Sequence, residues 1–324
     1  MIDEVLPDIY RIEIPLPNNP LKATNSYFIR GDTRNLLIDT GFSCEESRSV
    51  MAEALQNLGA RMETTDLFIT HLHTDHVGLV KYLATPETTV WMGEIDAKRI
   101  VQHSAIRKMF EDFLQISGLI ATGNKDYVNP NPGYEFESES FNRFTMVKEG
   151  DAIRIGNYRF HCVDTKGHTA GHMCLYERQK TILISGDHIL GKITPNITLW
   201  SLGEDVLGNY LRSLDKIGDL EINTVLPGHR YILIDCRGRI EELKIHYKKR
   251  MDEIMSIVGK KRIDAAQVAS RIKWDLSYKD WKEFPWEQKI FATGEAMSHL
   301  YHLAVRGKLV LIPKDNIIYF EKNN

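Results

Sequence analysis

Six consecutive residues, His71-Leu72-His73-Thr74-Asp75-His76, place four metal-ligating side chains at the end of the apolar run DLFIT. Imidazole and carboxylate are ordinary ligands of catalytic divalent ions. In an extended segment residues two apart face the same way, so His71 and His73 can meet one ion. Asp75 and His76 follow a turn into a helix expected from about Val77, which aims them at a neighbouring position where a second ion can sit. Three more residues of ligand type close other apolar runs: His168 in DTKGHTAGH after RFHCV, Asp187 at the end of TILISGD, and His229 at the end of TVLPGH. Each carries or adjoins a glycine, as a turn that presents one side chain while the backbone bends away requires. Sites on layered α/β proteins are assembled by the loops at one edge of a sheet, so four strand ends bearing such residues point to one metal centre.

The elements that must position them are short. Apolar runs between polar turns predict strands over 10–14, 26–29, 35–38 and 66–70, and again over 152–155, 158–163, 173–176, 181–185 and 224–226. Helical spacing predicts a helix over 45–58, with Val50, Met51, Leu55 and Leu58 on one face and Gly59 at its C-cap. One or two helices are expected over 94–119, where Ile100, Ile106, Phe110, Phe113 and Leu114 recur at helical intervals. The stretch NKDYVNPNPGYEFESES then reads as a loop or flap. After about residue 238 the pattern changes to a charge-rich helix over 240–258, helices over 265–271 and 294–304, and the hairpin LVLI-PKDN-IIYF. Three helices and a hairpin make a small α+β domain. The expected division is a catalytic domain over 1–238 and a second domain over 239–324.

Composition bounds the partners. The 324 residues are 43% hydrophobic and 26% charged, ordinary for a globular protein and long enough for two domains. With 41 Lys+Arg against 44 Asp+Glu the net charge is -3, too near neutral for bulk attraction to a polyanion, so a nucleic-acid partner needs a local patch. From Ile240 onward 16 basic residues face 12 acidic ones, giving +4 there and -7 before it. Cys44, Cys162, Cys174 and Cys236 lie far apart with no CxxC pairing, which fits a reduced compartment. The start MIDEVLPDIY carries acids where a signal peptide is basic, and no apolar run approaches 18 residues. The expectation is a cytoplasmic protein without a membrane segment.

The order HLHTDH, GHTAGH, GD and PGH over residues 71–229, with Asp39 in LLIDTGF ahead of it, resembles the metallo-β-lactamase-fold hydrolases, in particular their glyoxalase II-like branch. That resemblance implies an α+β fold, an αββα sandwich with a two-metal site at its edge, and a small C-terminal winged-helix-like domain behind it. Carried over by position, His71, His73 and His168 hold the first metal, Asp75, His76 and His229 the second, and Asp187 bridges them. Asp39 orients the HLHTDH loop from behind the ligands, as ligand geometry generally requires.

Five imidazoles and two carboxylates suit borderline cations: two zinc ions first, with iron or manganese also compatible. Two such ions lower the pKa of bound water and offer a hydroxide at neutral pH, so no protein nucleophile is needed. The expected function is hydrolysis of a small ester or thioester, with Asp75 also relaying the proton to the leaving group. Endoribonuclease or phosphodiesterase chemistry at the same centre, an iron-dependent persulfide dioxygenase, and a regulatory protein with a vestigial site are the alternatives. His172 and His188 adjoin motif residues and are expected to support or pack, His172 beside the ligands. Lys192 and Asn196, on the segment after Asp187, are candidate substrate contacts. His103, His161, His246, His299 and His302 have no partner at ligand spacing, and the run Lys260-Lys261-Arg262 reads as a solvated turn. The helix GEAMSHLYHLAVRG offers Arg306 alone as a cation, so packing over the site edge or homodimer formation suits it better than reading DNA. The expected partner is a small acyl substrate.

Overall fold

Alternation along the central strands explains why two sheets form. The computed structural model describes residues 2–120, 141–259, 261–275 and 278–323; the expected loop over 124–140 and Lys260 of the basic run lie outside them. Seven strands make the first sheet in chain order: β1 (Ile2–Leu6), β2 (Ile9–Pro15), β3 (Ala23–Ile29), β4 (Asn35–Ile38), β5 (Thr65–Ile69), β6 (Val90–Gly93) and β7 (Phe144–Val147). The first four pair antiparallel, and β4 to β7 run parallel. In the second sheet the order is β12 (Thr224–Pro227), β11 (Ile182–Gly186), β10 (Met173–Glu177), β9 (Tyr158–Asp164) and β8 (Ala152–Ile155), with β11 and β12 parallel.

Tyr27, Ile29, Leu36, Ile38 and Phe68 point between the sheets, where they meet Phe160, Leu175, Ile184 and Leu226 of the second sheet. Their chain neighbours Phe28, Leu37, Leu67 and Ile69 point the other way. That outer face is covered by α1 (Glu45–Asn57), α2 (Thr74–Val77), α3 (Val80–Leu83) and α4 (Glu94–Val101), through Met51, Ala54, Leu55, Val80, Leu83, Ala97 and Ile100. Strands with both faces buried read as continuous apolar runs, which is why NLLI and DLFI were legible as strands. The four-residue β6 and β7 were not: VWMG and FTMV are too short to show a period, and parallel pairing alone makes them strands.

The remaining elements are α5 (His103–Ile116), α6 (Val206–Gly218), α7 (Cys236–Val258), β13 (Ile263–Asp264), α8 (Ala265–Ala269), α9 (Trp286–Val305), β14 (Leu309–Lys314) and β15 (Ile317–Lys322). The chain divides into two compact units. The first comprises Met1–His103, Gly133–Pro195 and Ser213–Ile240, the second Ser104–Pro132, Asn196–Arg212 and Glu241–Asn324. A single cut at 238/239 does not describe these units. The apolar face of α5, with Phe110, Phe113 and Leu114, is buried in one core with Leu199, Ile254, Met297, Leu300 and Phe320. Nothing local in an inserted segment says which distant residues will bury its apolar face.

Within the second unit β13, β15 and β14 form a three-stranded sheet. Its hairpin turns on Asp315 and Asn316, both in the left-handed region, as a two-residue turn between twisted strands demands. Asp264 caps α8 by accepting from the Gln267 amide at 2.8 Å. His302 is buried with Nδ1 3.0 Å from both carboxylate oxygens of Asp205, a structural pair within this unit. All four cysteines are free thiols. Among the described residues no helix is long and apolar enough to cross a membrane.

Candidate metal centre

The C-terminal ends of β4, β5, β9, β11 and β12 deliver Asp39, His71, the 165–172 turn, Asp187 and His229 to one edge of the first unit. Hydrogen bonds between the two sheets fix this edge. The Met173 amide donates to Thr70 O at 2.9 Å, the Asn25 amide to Gly228 O at 2.7 Å, and the Tyr27 hydroxyl to Pro227 O at 2.9 Å. Ligand sites at the carboxyl ends of parallel strands are the general rule for open α/β sheets, because there the connections diverge.

Three groups of ligand atoms form at this edge, each with its atoms within 4.8 Å of one another: His71, His73 and His168; His71, His76 and Asp187; and Asp75, His76 and His229. In the first, His73 Nδ1 lies 3.1 Å from His71 Nε2 and 3.0 Å from His168 Nε2. In the third, Asp75 Oδ2 lies 3.3 Å from His229 Nε2 and 3.6 Å from His76 Nε2. Asp187 stands between them, with Oδ2 3.6 Å from His168 Nε2 and 3.4 Å from His229 Nε2, and Oδ1 3.6 Å from His76 Nε2. The spacing argument separated His71 and His73 from Asp75 and His76; the first and third groups divide them in that way, while the second joins His71 to His76. Helix α2 begins at Thr74, so Asp75 and His76 occupy its first turn.

Backbone and side-chain partners set the tautomers. Asp39, buried and in the left-handed region at φ 56°, accepts from the Thr70 amide and hydroxyl, both at 2.8 Å, and from His76 Nδ1 at 2.7 Å. Since the Thr70 hydroxyl donates to Asp39, its oxygen accepts from His71 Nδ1 at 3.0 Å. His229 Nδ1 donates to the Ala23 carbonyl at 2.8 Å. In each case Nε2 is left facing the cluster, the arrangement that makes histidine a metal ligand. Such strain at Asp39 is the kind stored where a side chain must be aimed.

Whether a metal fits can be judged from the donors. His76 Nε2, His229 Nε2 and Asp187 Oδ1 are buried and make no hydrogen bond, a costly arrangement unless a cation accepts their lone pairs. Three ring nitrogens about 3 Å apart in the first group cannot all donate to one another. Burial, then repulsion within the ring cluster, holds His71 far below the usual histidine range and His73 down to about 3, so both are neutral. Burial also disfavours charge on His76, but Asp39, Asp75 and Asp187 outweigh it and hold that ring up to about 9. His229 is raised likewise, chiefly by Asp187. Against its burial, His76 and His229 hold Asp75 down to about 2. Divalent cations in place of those protons would satisfy the same carboxylates, so the residues fit the group.

Close approach accounts for one glycine. A Cβ on Gly228 would lie 2.5 Å from Asp187 Oδ1 and 2.9 Å from His76 Cε1. His172 is fully buried; its Nε2 accepts from the Asp187 amide at 3.1 Å, and its Nδ1 pairs with the Thr165 hydroxyl at 2.8 Å. Lys192 is exposed on the first unit, while Asn196 belongs to the second and accepts from the Thr198 hydroxyl. The sequence reading missed Asp96, a buried acid on α4 that touches two ligand-bearing turns. Its one local signal was an acid at the same helical phase as the core residue Ile100.

Comparison with known proteins decides the lineage. Residues 19–229 match the family model described as "Metallo-beta-lactamase superfamily". The chain belongs to the metallo-beta-lactamase superfamily. Members of this superfamily are usually hydrolytic enzymes, and its fold implies divalent metal ions. A "Beta-lactamase-like protein 2 homolog" of Caenorhabditis elegans is 27% identical over 282 residues, covering 86% of this chain and 78% of the relative. The "Probable metallo-hydrolase YqjP" of Bacillus subtilis is 23% identical, covering 97% and 98%. An "Atrochrysone carboxyl ACP thioesterase" of Aspergillus fumigatus is 24% identical, covering 78% of this chain and 64% of its own length. Among solved structures, a metallo-beta-lactamase family protein of Thermus thermophilus superposes with a TM-score of 0.82 at 25% identity, covering 98% of this chain and all of that one.

Proposed function

We propose that this superfamily member is a binuclear metal-dependent hydrolase of a small ester or thioester, similar to glyoxalase II, with zinc as its metal. The observation that carries the reading is Asp187, whose carboxylate reaches His168 of the first group on one side and His76 and His229 of the third on the other. One ion would be held by His71, His73 and His168, the other by Asp75, His76 and His229, with Asp187 shared. Bound ions would supply a hydroxide nucleophile at neutral pH and polarise the substrate's acyl oxygen. The chain's own part is to hold His71 and His73 neutral, to fix the rings through Asp39 and Ala23, and to move a proton at Asp75. That half-buried carboxylate borders solvent and can pass a proton to the departing thiol or alcohol.

Support for an acyl substrate comes from the thioesterase among the relatives and from the near-neutral charge. The order helix, short strand, two helices and hairpin from α7 to β15 supports the reading of a winged-helix-like domain. Yet α9, where a DNA-reading helix would stand, buries eleven of its residues, among them Met297, Leu300 and Leu303. That favours a packing role in a protein of the cytoplasm that acts on small molecules, alone or as a homodimer.

Zinc-loaded protein should turn over members of a panel of acyl thioesters and esters at pH 7 to 8, and His71→Ala should abolish that turnover. Failure on the whole panel refutes the acyl reading. One iron per chain, in protein purified without added metal, refutes the zinc reading in favour of an oxidative one.

A further inference from the structure

Two ligand-bearing turns share an anchor outside the metal cluster. Asp96, in the first turn of α4, is fully buried. Its Oδ2 accepts from the Leu72 amide at 3.1 Å, between His71 and His73, and from the hydroxyl of Thr169, the residue after His168. Its Oδ1 accepts from the Gly171 amide at 2.8 Å. The turns come so close that a Cβ on Gly171 would lie 2.4 Å from the Asp96 backbone nitrogen and 2.8 Å from its carboxyl carbon. None of the three donors belongs to a ligand, so the carboxylate sets where the turns lie without touching the ions they would bind.

We infer that Asp96 is the positioning residue of the three-histidine half of the centre, tying the turn that carries His71 and His73 to the turn that carries His168. This rests on the binuclear reading above. Asp39 reaches the other half directly, through His76, and bears on His71 only by way of the Thr70 hydroxyl. Asp96 touches only the two turns of its own half, and the two carboxylates make no common contact apart from the HLHTDH segment. The inference therefore predicts a loss confined to one ion of two.

The reason is geometric. A carboxylate can accept from all three donors at once, having two oxygens and about four lone-pair sites. An amide in its place accepts on one oxygen only and turns an NH2 toward another donor. Asp96→Asn should thus separate the turns by tenths of an ångström while keeping the volume of the buried side chain.

The test is zinc binding to the full chain by competition with a chelator, together with the visible absorption of the cobalt(II)-loaded protein. Asp96→Asn should weaken one of two zinc ions about 10- to 100-fold, the usual range for a partner behind the ligands, and leave the other as in the native chain. The cobalt bands of the weakened half should shift. Asp66→Asn serves as control: Asp66 is another buried acid, at the far end of β5, paired with Arg34 at 2.6 Å. It should lower the melting temperature without moving either ion. Thr169→Val removes one donor and should weaken the same ion, and Thr169→Ser, which keeps the hydroxyl, should restore it; this pair carries the test if Asp96→Asn does not fold. Native affinity for both ions in Asp96→Asn, or equal weakening in Asp96→Asn and Asp66→Asn, overturns the inference. A native chain that takes up no second ion overturns the binuclear reading itself, a result visible before any variant is made.

Discussion

Replacing Asp39 by Asn tests the tautomer logic of the centre most directly. The carboxylate accepts from the Thr70 amide and hydroxyl and from His76 Nδ1. An Asn oxygen can keep the amide bond on one side, but its NH2 then faces His76, and Nδ1 must become an acceptor. The proton moves to Nε2, the atom otherwise directed at Asp75 and Asp187 at 3.6 Å. What is lost is a hydrogen bond to a charged acceptor, about 1.5–3 kcal/mol. At about 1.4 kcal/mol per decade, metal affinity at the His76 half should fall about 10- to 100-fold. Thr40, which donates to the His76 carbonyl at 2.8 Å, keeps the backbone in place, so the secondary structure should be retained. The assays are a zinc competition titration and nitrogen NMR of the histidine rings. Native affinity in Asp39→Asn, with His76 still protonated at Nδ1, refutes the reasoning.

Gly228→Ala should abolish metal uptake at neutral pH while leaving the circular dichroism spectrum native, because its Cβ would displace Asp187 and His76; full metal content in the variant would show that the turn can give way. Phe113→Ala, in the core of the second unit, should cost about 3–5 kcal/mol and speed hydrogen exchange at Ile254 and Leu300 in the same core; unchanged exchange there would separate α5 from that core. Burial holds His299 down to about 3, against 6.5 in an unfolded chain, so protonation favours unfolding. Stability should accordingly be full above pH 6.5 and lower by about 2 kcal/mol at pH 5 through this group. His299→Leu should lose that share of the acid slope, read from denaturant midpoints at several pH values, and a slope identical to the native one refutes it.

Local patterns in the chain determined more of the first unit than of the second. The strands around NLLI, DLFI and ILIS are buried on both faces, so their apolar runs are continuous and need no partner to be recognised. The ligand types were legible for a related reason: HLHTDH packs four donors into one turn, and spacing within a turn is a local property. Tertiary structure alone decided the rest. β6 and β7 exist because parallel neighbours pair with them, and α5 belongs to the second unit because distant residues bury Phe110 and Phe113. Asp187 lies between two groups of donors only because β11 and β5 end at the same edge. Asp96 was hidden for the same reason. A single acid on a helix has no local pattern, and its meaning lies in two turns, one of them more than seventy residues away, that donate to it across the sandwich edge. Sequence determines which groups can do chemistry, and long-range packing determines which of them meet.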